Sequence, residues 1–254
     1  MFFKLSVLFF TPLLAGLLVF FFNGIRTATF KLILVFAGAY LFAITVVHIL
    51  PELYLTGSRT ELIGVFVLAG FFLQQFLEYY TSGIEHGHLH HHHRHDVSSN
   101  HGSSTVSALV LLVALCVHAF LEGAMLVEPP AGAELDRDVN AILLGIALHR
   151  APAAFALMIV LSDQLQSKKL AVPYLVAFSL AAPIGLFVST EFLNAELLSE
   201  RGLVFLYALV SGNFLHISTT IVFESSPEHR FNARKLGVAV AGALLAVAVE
   251  YMMI

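Results

Sequence analysis

The chain has 254 residues, of which 58% are hydrophobic and only 12% are charged, and its mean hydropathy is +0.86. Soluble globular proteins are about 45–50% apolar and about 25% charged, so this composition excludes an ordinary water-soluble domain. The formal net charge of -4 is small and gives no sign of a nucleic-acid partner. A single cysteine, Cys116, excludes an intrachain disulfide.

Eight apolar segments have about the length that a bilayer-crossing helix needs, which is about 20 residues. The predicted spans, numbered one to eight, are residues 5–22, 30–50, 62–80, 104–127, 140–161, 170–192, 203–223 and 236–253. A signal peptide is the alternative for span one. The apolar run of span one is longer, however, than the roughly 7–15 apolar residues of such peptides. The sequence therefore predicts an all-α membrane protein with a single transmembrane domain over residues 1–254.

The distribution of basic residues predicts the orientation, because cytoplasmic loops of membrane proteins carry an excess of Lys and Arg. With the N-terminus outside, the cytoplasmic loops hold eight basic residues and the outer loops hold four. The cytoplasmic ones are Arg26, Lys31, Arg94, Lys168, Lys169, Arg230, Arg234 and Lys235, and the outer ones are Lys4, Arg59, Arg137 and Arg201. We therefore expect both termini outside.

One polar loop, predicted over residues 82–103 on the cytoplasmic side, is rich in histidine. It holds His86, His88, His90, His91, His92, His93, His95 and His101. Neutral imidazole nitrogens bind transition metals, so the loop is predicted to capture metal ions without forming a fixed site. A purification tag is the alternative, but the tract is internal and is interrupted by Gly, Leu and Arg.

Ionisable residues concentrate in the middle of spans four and five. His118 and Glu122 are four residues apart in span four, so they share one helix face. His149 and Arg150 lie near the middle of span five. Charged groups at this depth are costly and usually mark a site or a transport pathway. Two imidazoles and one carboxylate suit a divalent metal with water as fourth ligand, whereas interhelical hydrogen bonding is the alternative for each histidine.

Several motifs in the chain resemble those of the Zrt/Irt-like (ZIP) metal transporters. The specific ones are HAFLEG in span four and HRAPAAF in span five, supported by HILPE at the end of span two and by the histidine-rich loop. SLAAPIG in span six and SGNFLHISTTIVFE in span seven fit more loosely. The resemblance implies a 3+2+3 bundle in which the first and last three helices form an inverted repeat, with both termini outside. It also implies transport of divalent metals into the cytoplasm, with zinc favoured and iron or manganese as further candidates, and no enzymatic activity.

The resemblance assigns roles to individual residues. It places His118, Glu122 and His149 at metal-ligand positions, and it places His48 and Glu52 near one end of the pathway. The role of His216 in span seven stays open between facing the pathway and a hydrogen-bonded core position.

The chain departs from the two-metal members of the family at four ligand positions. Those positions hold Ala119, Arg150, Ala153 and Ala182 here. The departures predict a mononuclear transport site in which Arg150 sits where a second metal would and pairs with Glu122. The alternative is that Arg150 points away and extends toward the cytoplasmic interface.

Two other functional classes stay open at this point. An intramembrane zinc-dependent hydrolase also buries histidine and carboxylate, but the H-E-x-x-H motif is missing and no separate general base is evident. A cation exporter is the second, although such proteins usually have six spans and a soluble regulatory domain. The expected partners are a divalent metal ion, the lipid bilayer and, as an option, a second copy in a homodimer. No cofactor is expected beyond the transported metal, and in a bacterium the chain would lie in the inner membrane.

Overall fold

The computed structural model describes residues 1–21, 27–56, 59–81, 108–128, 139–224 and 233–253, and the regular structure within them is entirely helical. The α-helices are α1 (Phe2–Leu17), α2 (Thr27–Ile44), α3 (Leu50–Leu55), α4 (Thr60–Thr81), α5 (Ala108–Ala124), α6 (Val139–Gln164), α7 (Lys168–Asn194), α8 (Glu200–Thr219) and α9 (Ala233–Met253). A 3₁₀ turn (Leu18–Phe20) extends α1, and π-helical turns follow α2 (Thr45–Ile49) and α8 (Thr220–Glu224).

These helices confirm an integral membrane protein. Seven helical segments in the described residues are long and apolar enough to cross a bilayer, and α2, its π turn and α3 form one of them, Ala28–Leu55. The α5 helix is apolar but shorter. Apolar side chains cover the outer faces of the bundle, as lipid requires.

The predicted bounds of three spans were wrong. Span two continues as helix beyond residue 50 to Leu55. Span one begins earlier than predicted, because α1 starts at Phe2. Lys4, which was assigned to an outer loop, lies within this helix and is buried. Span four ends earlier, since α5 stops at Ala124. Beyond this point the backbone carbonyl groups accept hydrogen bonds from side chains of other helices. Lys4 Nζ donates to the Leu126 carbonyl (3.5 Å), and Tyr207 Oη donates to the Val127 carbonyl (2.6 Å).

Lys4 also donates a hydrogen bond to Glu128, which lies beyond the end of α5. This hydrogen bond and the positive charge of the ammonium lower the pKa of Glu128 below its ordinary value. Because the Glu128 side chain is 65% exposed, water screens the pair and its contribution to stability is small.

The helices pack as two groups. The most extensive contacts in the first group join α5 to α7 and α1 to both α6 and α7; in the second they join α4 to α8 and α2 to both α9 and α8. Contacts of α2 with α6 and of α4 with α5 connect the groups. The α5 and α6 helices, which correspond to spans four and five, thus both belong to the first group.

Paired glycines bring the helix backbones together in both groups. A Cβ atom at Gly123 on α5 would lie 1.9 Å from the Ala182 carbonyl oxygen on α7, and one at Gly185 on α7 would lie 2.0 Å from the Phe120 carbonyl oxygen. No larger residue fits at such an approach without separating the helices. These contacts fix α5, which carries part of the candidate site, directly against α7.

Candidate metal centre

The candidate site lies where the middle of α5 meets the middle of α6. His118 and Glu122 project from the same face of α5 because they are separated by about one turn, and His149 projects from α6. His118 Nε2 is 3.2 Å from Glu122 Oε1. One ligand atom from each of the three side chains can be chosen so that all lie within 4.8 Å of one another. In the part of the chain that the structure describes, this is the one cluster of three or more His, Cys, Asp or Glu side chains with that spacing.

The three side chains are enclosed by the protein. His118 is 3% exposed, Glu122 0% and His149 1%. The two imidazole rings are nearly perpendicular, with an interplanar angle of 86° and centroids 6.1 Å apart. A buried carboxylate is stable only when cations or hydrogen-bond donors compensate its charge, so this arrangement is suited to bind a positive ion.

Arg150 supplies a fixed positive charge beside the cluster. Its Nη1 atom lies 3.4 Å from Glu122 Oε2, and its Nη2 atom donates to the Phe178 carbonyl at 2.9 Å. The guanidinium also lies over the Phe178 ring, with Cζ 4.6 Å from the centroid. Arg150 is 1% exposed, so its side chain faces Glu122 and α7 and not the membrane surface. The two oxygens of Glu122 therefore face different partners, Oε1 toward His118 and Oε2 toward Arg150.

The charges at the site determine what it can bind. With neutral imidazoles, Glu122 and Arg150 sum to zero, so an incoming divalent ion adds its charge to a set that is already neutral. A guanidinium this close opposes a divalent cation, so the site is suited to weak, reversible binding. Transport pathways require such binding because the ion must also leave.

Alanine occupies the other three positions at which the two-metal members of the family have ligands. Ala119, Ala153 and Ala182 are all buried, and none of their side chains can coordinate a cation. The backbones of α5 and α7 touch at Ala182, through Gly123. Space and ligand atoms for a second metal are therefore both reduced on the α7 side.

His48 is not part of this cluster and lies in the C-terminal half of the second span. It sits in the π turn after α2, and its Nδ1 atom is 2.5 Å from Glu250 Oε1 on α9. Its Nε2 atom is 3.7 Å from Glu52 Oε2 on α3. The structure thus brings His48 and Glu52 together, as their spacing implies, and adds Glu250, which the sequence analysis did not single out.

His216 on α8 forms a second pair of this kind with Glu78 on α4. His216 Nε2 lies 3.2 Å from Glu78 Oε2, and the imidazole stacks on the Phe71 ring with centroids 4.8 Å apart. The α4 helix starts at Thr60, near the His48 end, and Glu78 lies about 27 Å further along at 1.5 Å per residue. The two His–Glu pairs are therefore at opposite ends of the molecule.

A repeated sequence could have revealed both missed glutamates. Residues 69–79 read AGFFLQQFLEY on α4, and residues 241–251 read AGALLAVAVEY on α9. The glycine of each copy packs on a carbonyl group of a neighbouring helix, Gly70 on Leu209 and Gly242 on Phe36. The glutamate of each copy pairs with a histidine of that same neighbouring span.

The predicted loop ligands lie outside the described residues. They are His86, His88, His90, His91, His92, His93, His95 and His101. Their metal-capturing role stays a prediction.

The long apolar helices and the enclosed His/Glu/His cluster define an integral membrane protein with a candidate cation site between its helices. The model of the ZIP zinc transporter family matches residues 1–250. The chain therefore belongs to the ZIP zinc transporter family, and the resemblance inferred from its motifs is confirmed. Members of this family are transporters of divalent metals and not enzymes, which at family level argues against the hydrolase alternative. A search of curated proteins found no match to the chain.

Proposed function

We propose that the chain moves divalent metal cations into the cytoplasm through a mononuclear site made by His118, Glu122 and His149. Zinc is the favoured cargo, because two imidazoles and one carboxylate suit it, and iron or manganese are further candidates. The observation that carries the proposal is the meeting of the three ligand atoms within 4.8 Å inside the helix bundle. Family membership supplies the transport activity.

The inward direction rests on a proposed topology with both termini outside and a 3+2+3 arrangement. The most extensive helix contacts support an inverted repeat, since each of them has a counterpart when α1, α2 and α4 exchange with α7, α8 and α9, and α5 exchanges with α6. The α4–α8 contact then becomes the α9–α2 contact, and α5–α7 becomes α6–α1. The π turns after α2 and α8 are related in the same way. Inverted repeats of this type place substrate sites near the bilayer midplane, and we assign His118 and His149 to that depth.

The mononuclear character of the site rests on Arg150. Its guanidinium neutralises Glu122 in the absence of metal and fills the position where a second cation would otherwise bind. A bound ion would share Glu122 with Arg150, so the carboxylate keeps a partner before and after the ion passes. The Glu122 carboxylate is therefore never an unpaired charge within the bilayer, which would be costly.

Other features complete the proposal. Residues 1–254 form one transporter domain, and the segment 82–103 acts as a cytoplasmic capture loop. In a bacterial cell the chain would lie in the inner membrane. A homodimer and the absence of a resident cofactor stay predictions.

Zinc uptake by proteoliposomes tests this function. Purified protein is reconstituted in one orientation with a zinc-sensitive dye inside, and zinc, iron(II) and manganese(II) are added outside in turn. We expect saturable uptake from the side that bears the termini, and its loss in Glu122→Gln. Gln75→Ala is the matched control, because Gln75 is an exposed polar side chain on α4. Flux only in the opposite direction, or equal flux in Glu122→Gln and the parent, would contradict the proposal.

A further inference from the structure

We propose that His216, Glu78 and Asn213 form a second divalent-cation site between α4 and α8. This proposal rests on the proposed function, because the site would receive the transported ion on the cytoplasmic side of the His118 cluster. The ligand is a divalent transition-metal ion of the kind that imidazole and carboxylate bind.

The spacing of His216 and Glu78 suits a shared metal ion. Zinc ligands lie at about 2.0–2.1 Å in a tetrahedron, which separates two ligand atoms by about 3.3 Å. His216 Nε2 and Glu78 Oε2 are 3.2 Å apart, the same separation as His118 Nε2 and Glu122 Oε1 in the transport site. The same donor pair thus recurs on a different pair of helices.

The orientation of His216 is fixed by its neighbours. Its ring stacks on Phe71 at an interplanar angle of 22°. The Thr220 hydroxyl lies 3.5 Å from His216 Nδ1, on the side of the ring opposite Glu78. Metal-binding histidines commonly use one ring nitrogen for the metal and the other for an oxygen partner, and His216 has this arrangement.

Asn213 supplies an independent reason to expect a ligand. It is 0% exposed, and among the described residues neither atom of its side-chain amide has a hydrogen-bond partner. A buried amide left in this way is costly and calls for a water molecule or an ion. Asn213 is three residues before His216 on α8, so both side chains lie on one helix face. Its amide oxygen can act as a third, neutral ligand.

The two helices are in close contact beside Asn213, and Glu78 is partly exposed. Beside Asn213, a Cβ atom at Gly212 would lie 1.9 Å from the Val67 carbonyl oxygen, so α8 and α4 are in backbone contact at this level. The Glu78 side chain is 21% exposed, whereas Glu122 is fully enclosed. Glu78 is in the last turn of α4, which ends at Thr81, directly before the predicted histidine-rich loop. An ion at this site therefore lies between the enclosed transport site and the predicted cytoplasmic surface.

Zinc binding in a chain without the transport site tests the proposal. The background carries His118→Ala, Glu122→Gln and His149→Ala, and the eight loop histidines are replaced with serine. Zinc per chain is measured by equilibrium dialysis in detergent with elemental analysis. We expect one zinc ion per chain, lost in either His216→Gln or Glu78→Gln. Asn213→Leu should weaken binding by at least about tenfold, since even outer-shell partners of a metal are worth about 10- to 100-fold.

Control variants distinguish loss of the proposed second site from misfolding and from failure of the transport proposal. Gln75→Ala in the same background should keep the ion, and every variant must elute as a monodisperse helical protein. His216→Ala replaces His216→Gln if the latter does not fold. A background that binds no zinc, or binding that survives both His216→Gln and Glu78→Gln, overturns this proposal. Those outcomes leave the transport proposal standing if the otherwise unaltered chain still takes up zinc in a His118-dependent way.

Discussion

The α5–α6 site and the α4–α8 cluster place a histidine Nε2 atom at the same distance, 3.2 Å, from a glutamate oxygen, but their surroundings differ. At the first, Arg150 contacts the second carboxylate oxygen, and every side chain is enclosed. At the second, Asn213 shares the helix face of the histidine, and Glu78 is partly exposed. A guanidinium makes binding weak and keeps a deeply buried carboxylate paired, whereas a neutral amide adds a ligand without opposing the ion.

This difference suggests how one His–Glu pair can serve two steps. The enclosed pair must be stable without an ion, because both of its side chains are buried, and Arg150 provides that stability. The partly exposed pair can be compensated by water or by the ion itself. The groups that compensate the carboxylate charge therefore distinguish the two sites better than the number of ligands does.

The largest effect is expected from the ligands of the α5–α6 site. Replacing His118 or His149 with alanine, or Glu122 with glutamine, should lower saturable zinc uptake by well over about tenfold, since each removes a direct ligand. Double substitutions should add little, because groups that act as one unit are not additive. Near-normal uptake in His149→Ala together with loss in His118→Ala, measured in proteoliposomes, would break the three-residue site.

The glycine contacts offer a structural test of the same site. Gly185→Ala should separate α7 from α5 and disturb the Arg150 contact with Phe178, because the added Cβ would lie 2.0 Å from the Phe120 carbonyl oxygen. We expect a loss of stability of about 1–3 kcal/mol, as for other overpacked sites. Gly237→Ala on α9 is the control, since nothing lies within 4 Å of its added Cβ. Equal melting temperatures for the two variants would mean that the tight α5–α7 contact is not required.

Removing the positive charge of Arg150 should sharpen the contrast between the two regions. Arg150→Gln and Arg150→Ala should lower the half-saturation concentration for zinc by about tenfold or more, since a unit charge at about 4 Å is worth about 4 kcal/mol at an effective dielectric constant near 20. The maximal rate should not rise, because the ion leaves more slowly and Glu122 loses its partner. Uptake kinetics across a zinc titration provide the measurement. An unchanged half-saturation concentration would remove Arg150 from the mechanism.

A smaller effect is expected from the histidine-rich loop. Replacing its eight histidines with serine should leave the maximal rate of zinc influx within a few-fold of the parent, because both intramembrane sites stay intact. Complete loss of influx in correctly inserted protein would show that the loop is essential, and would count against its tuning role.

The smallest effect is expected outside the helices, at Glu128. Its pKa is lowered by Lys4, so the pair stabilises the folded protein above the ordinary carboxyl pKa and loses this effect as pH falls through the lowered value. Glu128→Gln should therefore lower the melting temperature slightly at neutral pH, by an amount worth about 1 kcal/mol or less. The difference from the parent should disappear in acid. A difference that grows in acid would reverse the assigned sign.

The sequence predicted much of this arrangement because its strongest signals are local. His118 and Glu122 are one turn apart on the same helix, and hydropathy alone located the spans within a few residues. The bounds were wrong where distant side chains end or extend a helix, as Lys4 and Tyr207 do just after α5. No sequence rule fixes the direction of a long side chain such as Arg150, which depends on the position of α7.

Glu78 and Glu250 were missed for a different reason. Each lies near the C-terminal end of an apolar helix, where a charged residue ordinarily meets water, so neither looked unusual by itself. Their partners, His216 and His48, are distant in sequence, and only the packing of α4 on α8 and of α9 on α2 brings them together. The shared AG…EY pattern of α4 and α9 was the one available signal.

Zinc stoichiometry at the α5–α6 site tests the central claim most directly. The protein for this measurement carries serine at the eight loop histidines together with His216→Gln and Glu78→Gln, so that neither the loop nor the α4–α8 cluster can retain metal. Elemental analysis after equilibrium dialysis at saturating zinc should give one ion per chain, and none after Glu122→Gln. Two ions per chain, or one ion that persists after Glu122→Gln, would contradict a single cation held by His118, Glu122 and His149.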